Sequence, residues 1–287
     1  MFIIGKFSLK KYLNMLSKVK QALRKGYKVS DKFKLLIIAA YSSRPKFRLF
    51  TKHLVNSIIT KDQKINIALK IPNGYINTSI RWEHFPSDYL SLTEIMIEDC
   101  YRILNSRKKY DLIIDGGGNT GLFTVLCNKV YKDVPILLFE PVEENIKIIK
   151  FHNNINNSNC KIFTGIISLS GGKRDLYIRN DNNSSFDSNQ PYTSIQSVQS
   201  FNLPVELSRY NFESILIKLD IEGAEMEVIP DLLVNFPDKQ LEIVGELHDW
   251  PINLHKIIKV TQDFDYSLET YNQDSICLLF KIFKITK

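Results

Sequence analysis

The chain has 287 residues, of which 44% are apolar and 24% charged, a composition typical of globular proteins and not of disordered or fibrous ones. The net charge of +7 is concentrated in residues 1–35, where ten Lys and Arg accompany one Asp, so that the remaining residues sum to −2. The four cysteines form no CxxC pair, which argues against a zinc, iron–sulfur or disulfide framework.

The apolar runs near the N-terminus are short. Leu35–Ala40 is the longest of them, and a membrane-spanning helix needs roughly 20 apolar residues. Phe2–Ile4 is too short for the core of a signal peptide. These features, with the unpaired cysteines, predict a cytoplasmic protein.

The first part of the chain predicts helices followed by a β-hairpin. Residues 8–60 carry apolar side chains at spacings of three and four with lysines between them, which is typical of amphipathic helices. Two strand-like runs, 64–70 and 75–81, flank a Pro-Asn-Gly turn that favours a hairpin. A further helix is predicted over 91–104, with its first residue and Glu94 forming a capping box.

Beyond residue 107 the pattern alternates between strands and helices. The predicted strands lie at 111–115, 134–139, 160–166, 175–179, 214–219, 241–247 and 276–284. The predicted helices lie at 121–130, 142–154, 223–235 and 252–260. The polar stretch 180–204 is predicted to be a long loop. Such alternation implies a mostly parallel sheet with helices on both faces.

These patterns together predict an α/β protein with a Rossmann-like domain, a mostly parallel seven-stranded sheet, a helical N-terminal extension and a β-hairpin. We place the extension at 1–62 and the main domain at 63–287. Within the main domain, the hairpin and its following helix occupy 63–106 and the Rossmann-like core occupies 107–287.

The clearest chemical signal follows the first strand of this core. Asp115 ends an apolar strand, and a glycine-rich turn with Gly116, Gly117, Asn119 and Gly121 leads into a helix. Glycines let a ligand approach the backbone, and a helix N-terminus attracts a carboxylate. The acid can hold an ammonium group directly or through water. A glycine turn that merely packs remains the alternative at this point.

The second strand strengthens the interpretation, because it ends in Glu140, 25 residues after Asp115. An acid at this position in nucleoside-binding α/β folds accepts both ribose hydroxyls. Residues 116–121 also match the G-x-G-x-x-G pattern of nicotinamide cofactors. Asp115 would repel a pyrophosphate there, so S-adenosylmethionine is favoured over NAD.

The pattern Asp-x-Gly-x-Asn-x-Gly over 115–121, followed by Phe139-Glu140-Pro141, resembles the FkbM family of methyltransferases. The block 217–225, Ile-Lys-Leu-Asp-Ile-Glu-Gly-Ala-Glu, is similar to that family's most distinctive motif. The resemblance covers roughly 65–284. Gly118 stands where Ala is usual, and Ile166 stands where a small residue is usual.

The resemblance implies a class I methyltransferase fold, S-adenosylmethionine as methyl donor and usually O-methylation of sugars, glycans or hydroxyls of secondary metabolites. It also implies a set of cofactor contacts, to which we add the neighbouring residues of the matched segments. The predicted contacts are Asp115, Gly116, Gly117, Asn119, Gly121, Glu140, Pro141 and Ile167.

Methyl transfer to an alcohol needs a general base, or a metal ion that lowers the pKa of the hydroxyl. Asp220, Glu222, Glu246 and His248 are the candidates, because all four follow or end predicted strands. The alternative for Glu222 and Glu225 is a stabilising role as acids in the first turn of the predicted helix, and the alternative for His248 is a plain surface histidine. Mg²⁺ or Mn²⁺ is possible at this cluster, but the sequence does not lead us to expect a metal.

The expected acceptor is a small molecule or a glycan, so that the favoured function is O-methylation of a sugar, glycan or glycolipid-like hydroxyl. Nucleic acid is not an expected partner, because no Asn/Asp-Pro-Pro-Tyr/Phe motif follows the fourth strand. A binding protein that has lost catalysis, and an RNA methyltransferase guided by the basic arm, remain the alternatives. The lysine-flanked apolar stripe in residues 1–35 indicates either a helix on an anionic membrane or a cap on the domain.

Overall fold

A computed structural model describes residues 20, 23–43, 45–178, 184–185, 192–248, 250–273 and 277–284. The chain divides into two compact units, residues 1–98 and residues 99–287. The hairpin therefore belongs to the first unit, whereas the sequence analysis placed it at the start of the main domain. Most of the basic arm lies outside the described residues.

The first unit contains two helices and a hairpin. Helix α1 spans Val29–Ser43 and α2 spans Pro45–Ile58, within the predicted helical region. Strands β1 (Lys64–Ile71) and β2 (Gly74–Arg81) pair in antiparallel register, so that Pro72 and Asn73 form a two-residue turn. The predicted hairpin is confirmed.

The helix after the hairpin begins earlier than predicted. Helix α3 spans Phe85–Ser91 and continues as a π-helix over Leu92–Ile97. Ser91 lies inside this helical segment with helical dihedral angles and makes no capping hydrogen bond, so the predicted capping box is wrong. Proline at the second helical position accounts for the earlier start, because its fixed φ suits the first turn.

A seven-stranded sheet forms the centre of the second unit. Its strands, in chain order, are β3 (Leu112–Gly116), β4 (Ile136–Glu140), β5 (Lys161–Thr164), β10 (Ser214–Leu219), β11 (Gln240–His248), β12 (Tyr266–Gln273) and β13 (Cys277–Lys284). The spatial order is β12-β13-β11-β10-β3-β4-β5, and only β13 runs antiparallel to the strands β11 and β12 beside it. This is the class I methyltransferase fold, and the predicted fold class is confirmed.

A second sheet of four strands is attached to the first. Its members are β6 (Ile166–Ser168), β7 (Gly172–Ile178), β8 (Ser184–Ser185) and β9 (Ser194–Asn202), in the order β6-β9-β7-β8. Gly165 separates β5 from β6, with a φ of +158°. A Cβ there would lie 2.2 Å from the carbonyl oxygen of Gln199. The chain thus leaves one sheet and enters the other at a single glycine.

Two of the sequence predictions fail in this region. The run 175–179 belongs largely to β7 of the second sheet and not to the seven-stranded sheet, whose additional strand is β12. The predicted loop 180–204 contains β8 and β9. Both missed strands, β9 and β12, contain many polar residues, because β12 lies at the edge of its sheet and β9 is buried only in part.

Five helices accompany the described sheets of this unit: α4 (Leu122–Val130), α5 (Glu143–Asn156), α6 (Leu203–Leu207), α7 (Glu225–Asn235) and α8 (Trp250–Asp263). Helices α4 and α5 contact β4, and α7 and α8 contact β11. Every residue of β3 and β4 is buried, as expected for central strands of a parallel sheet. Among the described residues, no helix is both long and apolar enough to cross a membrane.

Candidate functional site at the carboxyl edge of the sheet

The loop between β3 and α4 packs tightly against its neighbours. Gly117 and Asn119 both adopt positive φ, +74° and +46°. A Cβ on Gly117 would lie 1.9 Å from the carbonyl oxygen of Asp220, so that only glycine fits there. The amides of Gly117 and Gly118 both donate to the carbonyl oxygen of Phe139, at 3.1 and 3.0 Å. The loop is therefore held against the ends of β4 and β10.

Glu140 fixes the loop from the second strand. One carboxylate oxygen accepts from the amide of Asn119 at 2.7 Å. The other accepts from the amide of Val142 at 2.9 Å and from the side chain of Asn145 at 3.2 Å. Burial raises the pKa of Glu140 to about 7 in spite of these three donors, which favour the charged form. A buried carboxylate at this position has acceptor capacity left for a ligand hydroxyl.

A cavity that is partly open to solvent lies beside this loop. Gly117, Asn119 and Glu140 lie on one wall. Ile167 and its neighbours, at the start of the second sheet, form an apolar wall, and the segment after β10 supplies Asp220. The cavity therefore combines an apolar surface with a few converging polar groups.

Lys218 is a buried cation behind the cavity. Its Nζ donates to the carbonyl oxygen of Gly117 at 2.6 Å and lies 3.5 Å from Asp220 and 3.7 Å from Asp115. Burial alone would lower the pKa of Lys218, but the carboxylates of Asp220, Asp115 and Glu246 raise it above its ordinary value. Lys218 is therefore a fixed positive charge that joins the glycine loop to the end of β10.

Asp115 is wholly buried and does not line the cavity. Its Oδ2 accepts from the hydroxyl of Thr124 at 2.7 Å, while Oδ1 has no hydrogen-bond partner among the described residues. Burial raises the pKa of Asp115, and the charge of Lys218 opposes that rise only in part. Asp115 thus supports the first turn of α4 and the position of Lys218.

Three candidate side chains converge at the ends of β10 and β11. Asp220, Glu246 and His248 offer ligand atoms that all lie within 4.8 Å of one another. Parallel pairing of Leu219 with Gly245 brings these segments side by side. Glu222 is adjacent, with its Oε2 3.6 Å from Nε2 of His248. The four residues predicted from sequence to act in catalysis are therefore neighbours.

Glu225 contacts both His248 and the turn that follows β10. It is completely buried, and its two oxygens accept from the amides of Ile221 and Gly223, each at 2.9 Å. One of the same oxygens lies 3.2 Å from Nδ1 of His248. Glu225 therefore fixes both the turn after β10 and the orientation of the imidazole.

The imidazole of His248 is strongly biased toward its charged form. Burial alone would lower its pKa, but the hydrogen bond to Glu225 and the charges of Glu225, Asp220 and Glu222 raise it to about 10. In this form both ring nitrogens of His248 are donors to the surrounding carboxylates.

Comparisons with known proteins found similar sequences and structures. Methyltransferase 1 of Beauveria bassiana is 27% identical over 180 residues, which cover 54% of this chain and 72% of that protein. The chain is a methyltransferase homologue. The solved FkbM methyltransferase of Methylobacillus flagellatus has a TM-score of 0.42 at 11% identity, covering 94% of this chain and 60% of that one. A Pyrococcus abyssi tRNA (uracil-54, C5)-methyltransferase has a TM-score of 0.42 at 12% identity, covering 76% and 44%. No family model matches the chain.

The structure separates the predicted residues of this methyltransferase homologue into two groups. Those that line the cavity are Gly117, Asn119, Glu140, Pro141, Ile167, Asp220 and Glu222. Those that do not are Asp115, Gly116, Gly121, Glu246 and His248. The argument that Asp115 repels a pyrophosphate loses its basis, because that carboxylate is enclosed behind the loop. The strand order now distinguishes the fold from the dinucleotide-binding order.

Two residues important to the site were missed. Lys218 lies within the block 217–225. The signal that could have revealed its role is a lone lysine in an otherwise apolar strand, since a buried cation needs a buried anion. Glu225 was interpreted only as a helix-stabilising acid. Its complete burial and its bond to His248 give it a second role.

Proposed function

We propose that this chain is an S-adenosylmethionine-dependent O-methyltransferase acting on a hydroxyl of a sugar, glycan or glycolipid-like acceptor. One observation carries the proposal. A single cavity is bounded by the buried carboxylate of Glu140 on one side and by Asp220 and Glu222 on the other. The first acid suits a ribose, and the second pair suits an alcohol that must lose its proton.

The cofactor contacts follow from the cavity. Glu140 accepts hydrogen bonds from ribose hydroxyls, while the apolar wall near Ile166 and Ile167 receives the adenine. The backbone of Gly117 and Asn119 approaches the remainder of the cofactor without an obstructing Cβ at the glycine. S-adenosylmethionine supplies an electrophilic methyl group on a sulfonium sulfur.

Glu222 is the general base in this proposal. It lines the cavity with a side chain 38% exposed, so that an acceptor can reach it. The hydroxyl proton passes to the Glu222 carboxylate, the hydroxyl oxygen forms a bond to the methyl carbon, and the carbon–sulfur bond breaks with its electron pair going to sulfur. Asp220, fixed by Lys218 at 3.5 Å, positions the acceptor.

The test combines binding with turnover on full-length protein. Calorimetry should show binding of S-adenosylhomocysteine and none of NADH. Glycans and lipids from cells with active protein should gain the mass of one methylene when analysed by mass spectrometry. Glu222→Gln should lower kcat by about 10²–10⁴-fold with S-adenosylhomocysteine binding retained, since it removes only the base.

The matched control is Glu227→Gln, because Glu227 is an exposed acid in the first turn of α7, five residues after Glu222. Its turnover should equal that of the wild type. Binding of NADH without S-adenosylhomocysteine would refute the cofactor assignment. Cofactor binding with no methylated product in any extract would favour the binding-protein alternative.

We further propose that residues 1–35 hold the protein on anionic membranes, where lipid-linked glycans are found. Each basic residue near such a surface contributes on the order of 1 kcal/mol, and this segment has ten. Full-length protein should float with phosphatidylserine vesicles at low salt, and protein lacking residues 1–35 should not. If both forms remain in the soluble fraction, the segment has no membrane role.

A further inference from the structure

The cluster formed by Asp220, Glu246 and His248 differs from an acidic surface patch because it includes an imidazole. Two carboxylates and one imidazole offer atoms within 4.8 Å of one another, and all three residues are partly buried. They come from the ends of two adjacent strands of a rigid sheet, so that their backbone positions are fixed. Glu246 and His248 are two residues apart on β11 and therefore lie on the same face.

The strand ends are held close together by glycine. A Cβ on Gly245 would lie 1.9 Å from the carbonyl oxygen of Leu219, and a Cβ on Gly117 would lie equally close to that of Asp220. The segment that carries Asp220 is thus enclosed between two glycines. This close packing fixes the backbone position of Asp220 relative to that of Glu246.

The orientation of the imidazole provides an independent observation. Histidines that bind metal ions almost always donate a hydrogen bond from their other ring N–H to a carboxylate or a carbonyl oxygen. Nδ1 of His248 lies 3.2 Å from the completely buried Glu225, outside the cluster of three. The second ring nitrogen, Nε2, lies 3.6 Å from Oε2 of Glu222, and it is the nitrogen that we assign to the ion.

We propose that Asp220, Glu246 and His248 form a binding site for a single Mg²⁺ or Mn²⁺ ion at the wall of the cofactor cavity. An oxygen-rich donor set with one imidazole suits these ions better than zinc, whose sites favour thiolates or several histidines.

The charge of the surroundings also favours a cation. Lys218 neutralises part of the acidic group, with its Nζ 3.5 Å from Oδ2 of Asp220. Glu222 and Glu225 add two further carboxylates next to His248. The group has four carboxylates, on Asp220, Glu222, Glu225 and Glu246, against the single buried ammonium of Lys218.

The site extends the proposed O-methylation, on which its role rests. An octahedral ion with three protein ligands keeps three positions for water or for oxygens of the acceptor. Because Asp220 lines the cavity, an acceptor hydroxyl on such an ion lies beside the bound cofactor. The ion lowers the pKa of that hydroxyl and eases proton transfer to Glu222. An acceptor with two neighbouring oxygens, as in a sugar diol, would occupy two of the positions.

The experiment uses full-length protein and Mn²⁺, whose electron paramagnetic resonance signal falls when the ion binds. The wild type should bind one Mn²⁺ per chain, and Mg²⁺ should compete. Glu246→Gln and His248→Gln should each weaken Mn²⁺ binding by at least about tenfold, the lower bound for loss of an outer-shell partner. Glu227→Gln should bind Mn²⁺ as the wild type does.

Calorimetry with S-adenosylhomocysteine on the same variants separates this proposal from the proposed function. Glu246 and His248 do not line the cavity, so both variants should retain cofactor binding, which also demonstrates that they fold. Wild-type protein that binds S-adenosylhomocysteine but not Mn²⁺ overturns the metal site alone. Protein that binds Mn²⁺ with the expected variant pattern but no S-adenosylhomocysteine overturns the proposed function and leaves the metal site standing. Equal Mn²⁺ binding by wild type and both variants also rejects the site.

Discussion

Glu140→Ala should weaken S-adenosylhomocysteine binding by about 100-fold or more. The substitution removes the acceptor for ribose hydroxyls and releases the buried amides of Asn119 and Val142. Hydrogen bonds to a charged group contribute about 1.5–3 kcal/mol each, and 1.4 kcal/mol corresponds to a tenfold change in affinity. Calorimetric titration of wild type and variant measures the difference. Glu143→Ala, which alters an exposed acid in the next helix, should bind as the wild type does.

The same carboxylate makes binding depend on pH. Its pKa of about 7 in the folded protein lies above the unfolded value of 4.5, so ionisation of Glu140 opposes folding as pH rises through 7. A ribose needs the ionised form as its acceptor. Wild-type affinity for S-adenosylhomocysteine should therefore increase as pH rises from below 7 to above it, whereas Glu140→Gln should show a flat profile. A wild-type profile without a step near pH 7 would contradict this role.

Lys218→Met should destabilise the fold by about 3–5 kcal/mol, the usual effect of removing one partner from a buried ion pair. The change leaves the buried carboxylate of Asp115 without its nearest opposite charge and removes the bond to the carbonyl oxygen of Gly117. Urea unfolding followed by circular dichroism measures the free energy of unfolding. The control is Lys239→Met, which breaks the more exposed pair with Glu213 and should cost less than about 1 kcal/mol.

The double variant Lys218→Met with Asp115→Asn tests whether the loss of stability comes from an uncompensated charge or from general disruption of packing. Asp115→Asn removes the carboxylate that Lys218→Met leaves uncompensated, so the two changes together should cost less than the sum of their separate effects. Strict additivity would mean that Lys218 and Asp115 do not act as a pair. Unfolding of Lys218→Met at the wild-type urea concentration would show that the buried charge contributes nothing to stability.

The elements that sequence predicted well are those whose burial is uniform. Strands β3, β4 and β10 are buried in almost every position, so their apolar runs were visible without knowledge of the fold. Strands β9 and β12 carry polar side chains at exposed positions, so their sequences lack the continuous apolar runs of the central strands. The capping box failed because proline near the start of α3 had already begun the helix.

The candidate site shows the same limit. Sequence motifs gave the glycine loop, Glu140 and the acids after β10, since spacing along the chain places them at strand ends. Spacing could not tell that Asp115 lies behind the cavity, because burial depends on how α4 packs on the sheet. The contact between Glu225 and His248 joins residues 23 positions apart and required the three-dimensional arrangement.

The connection between the two sheets at Gly165 allows the second sheet to vary in sequence independently of the first. The chain passes from the seven-stranded sheet into the second sheet at this one residue. Ile166, Ile167 and Leu176 of the second sheet form part of the cavity wall. Substitutions and insertions in that appended sheet can reshape the cavity while the glycine loop and the strand ends stay unchanged. Natural evolution, or a directed library, can therefore change the selectivity for the ligand through the second sheet while the residues of the glycine loop and the strand ends are kept.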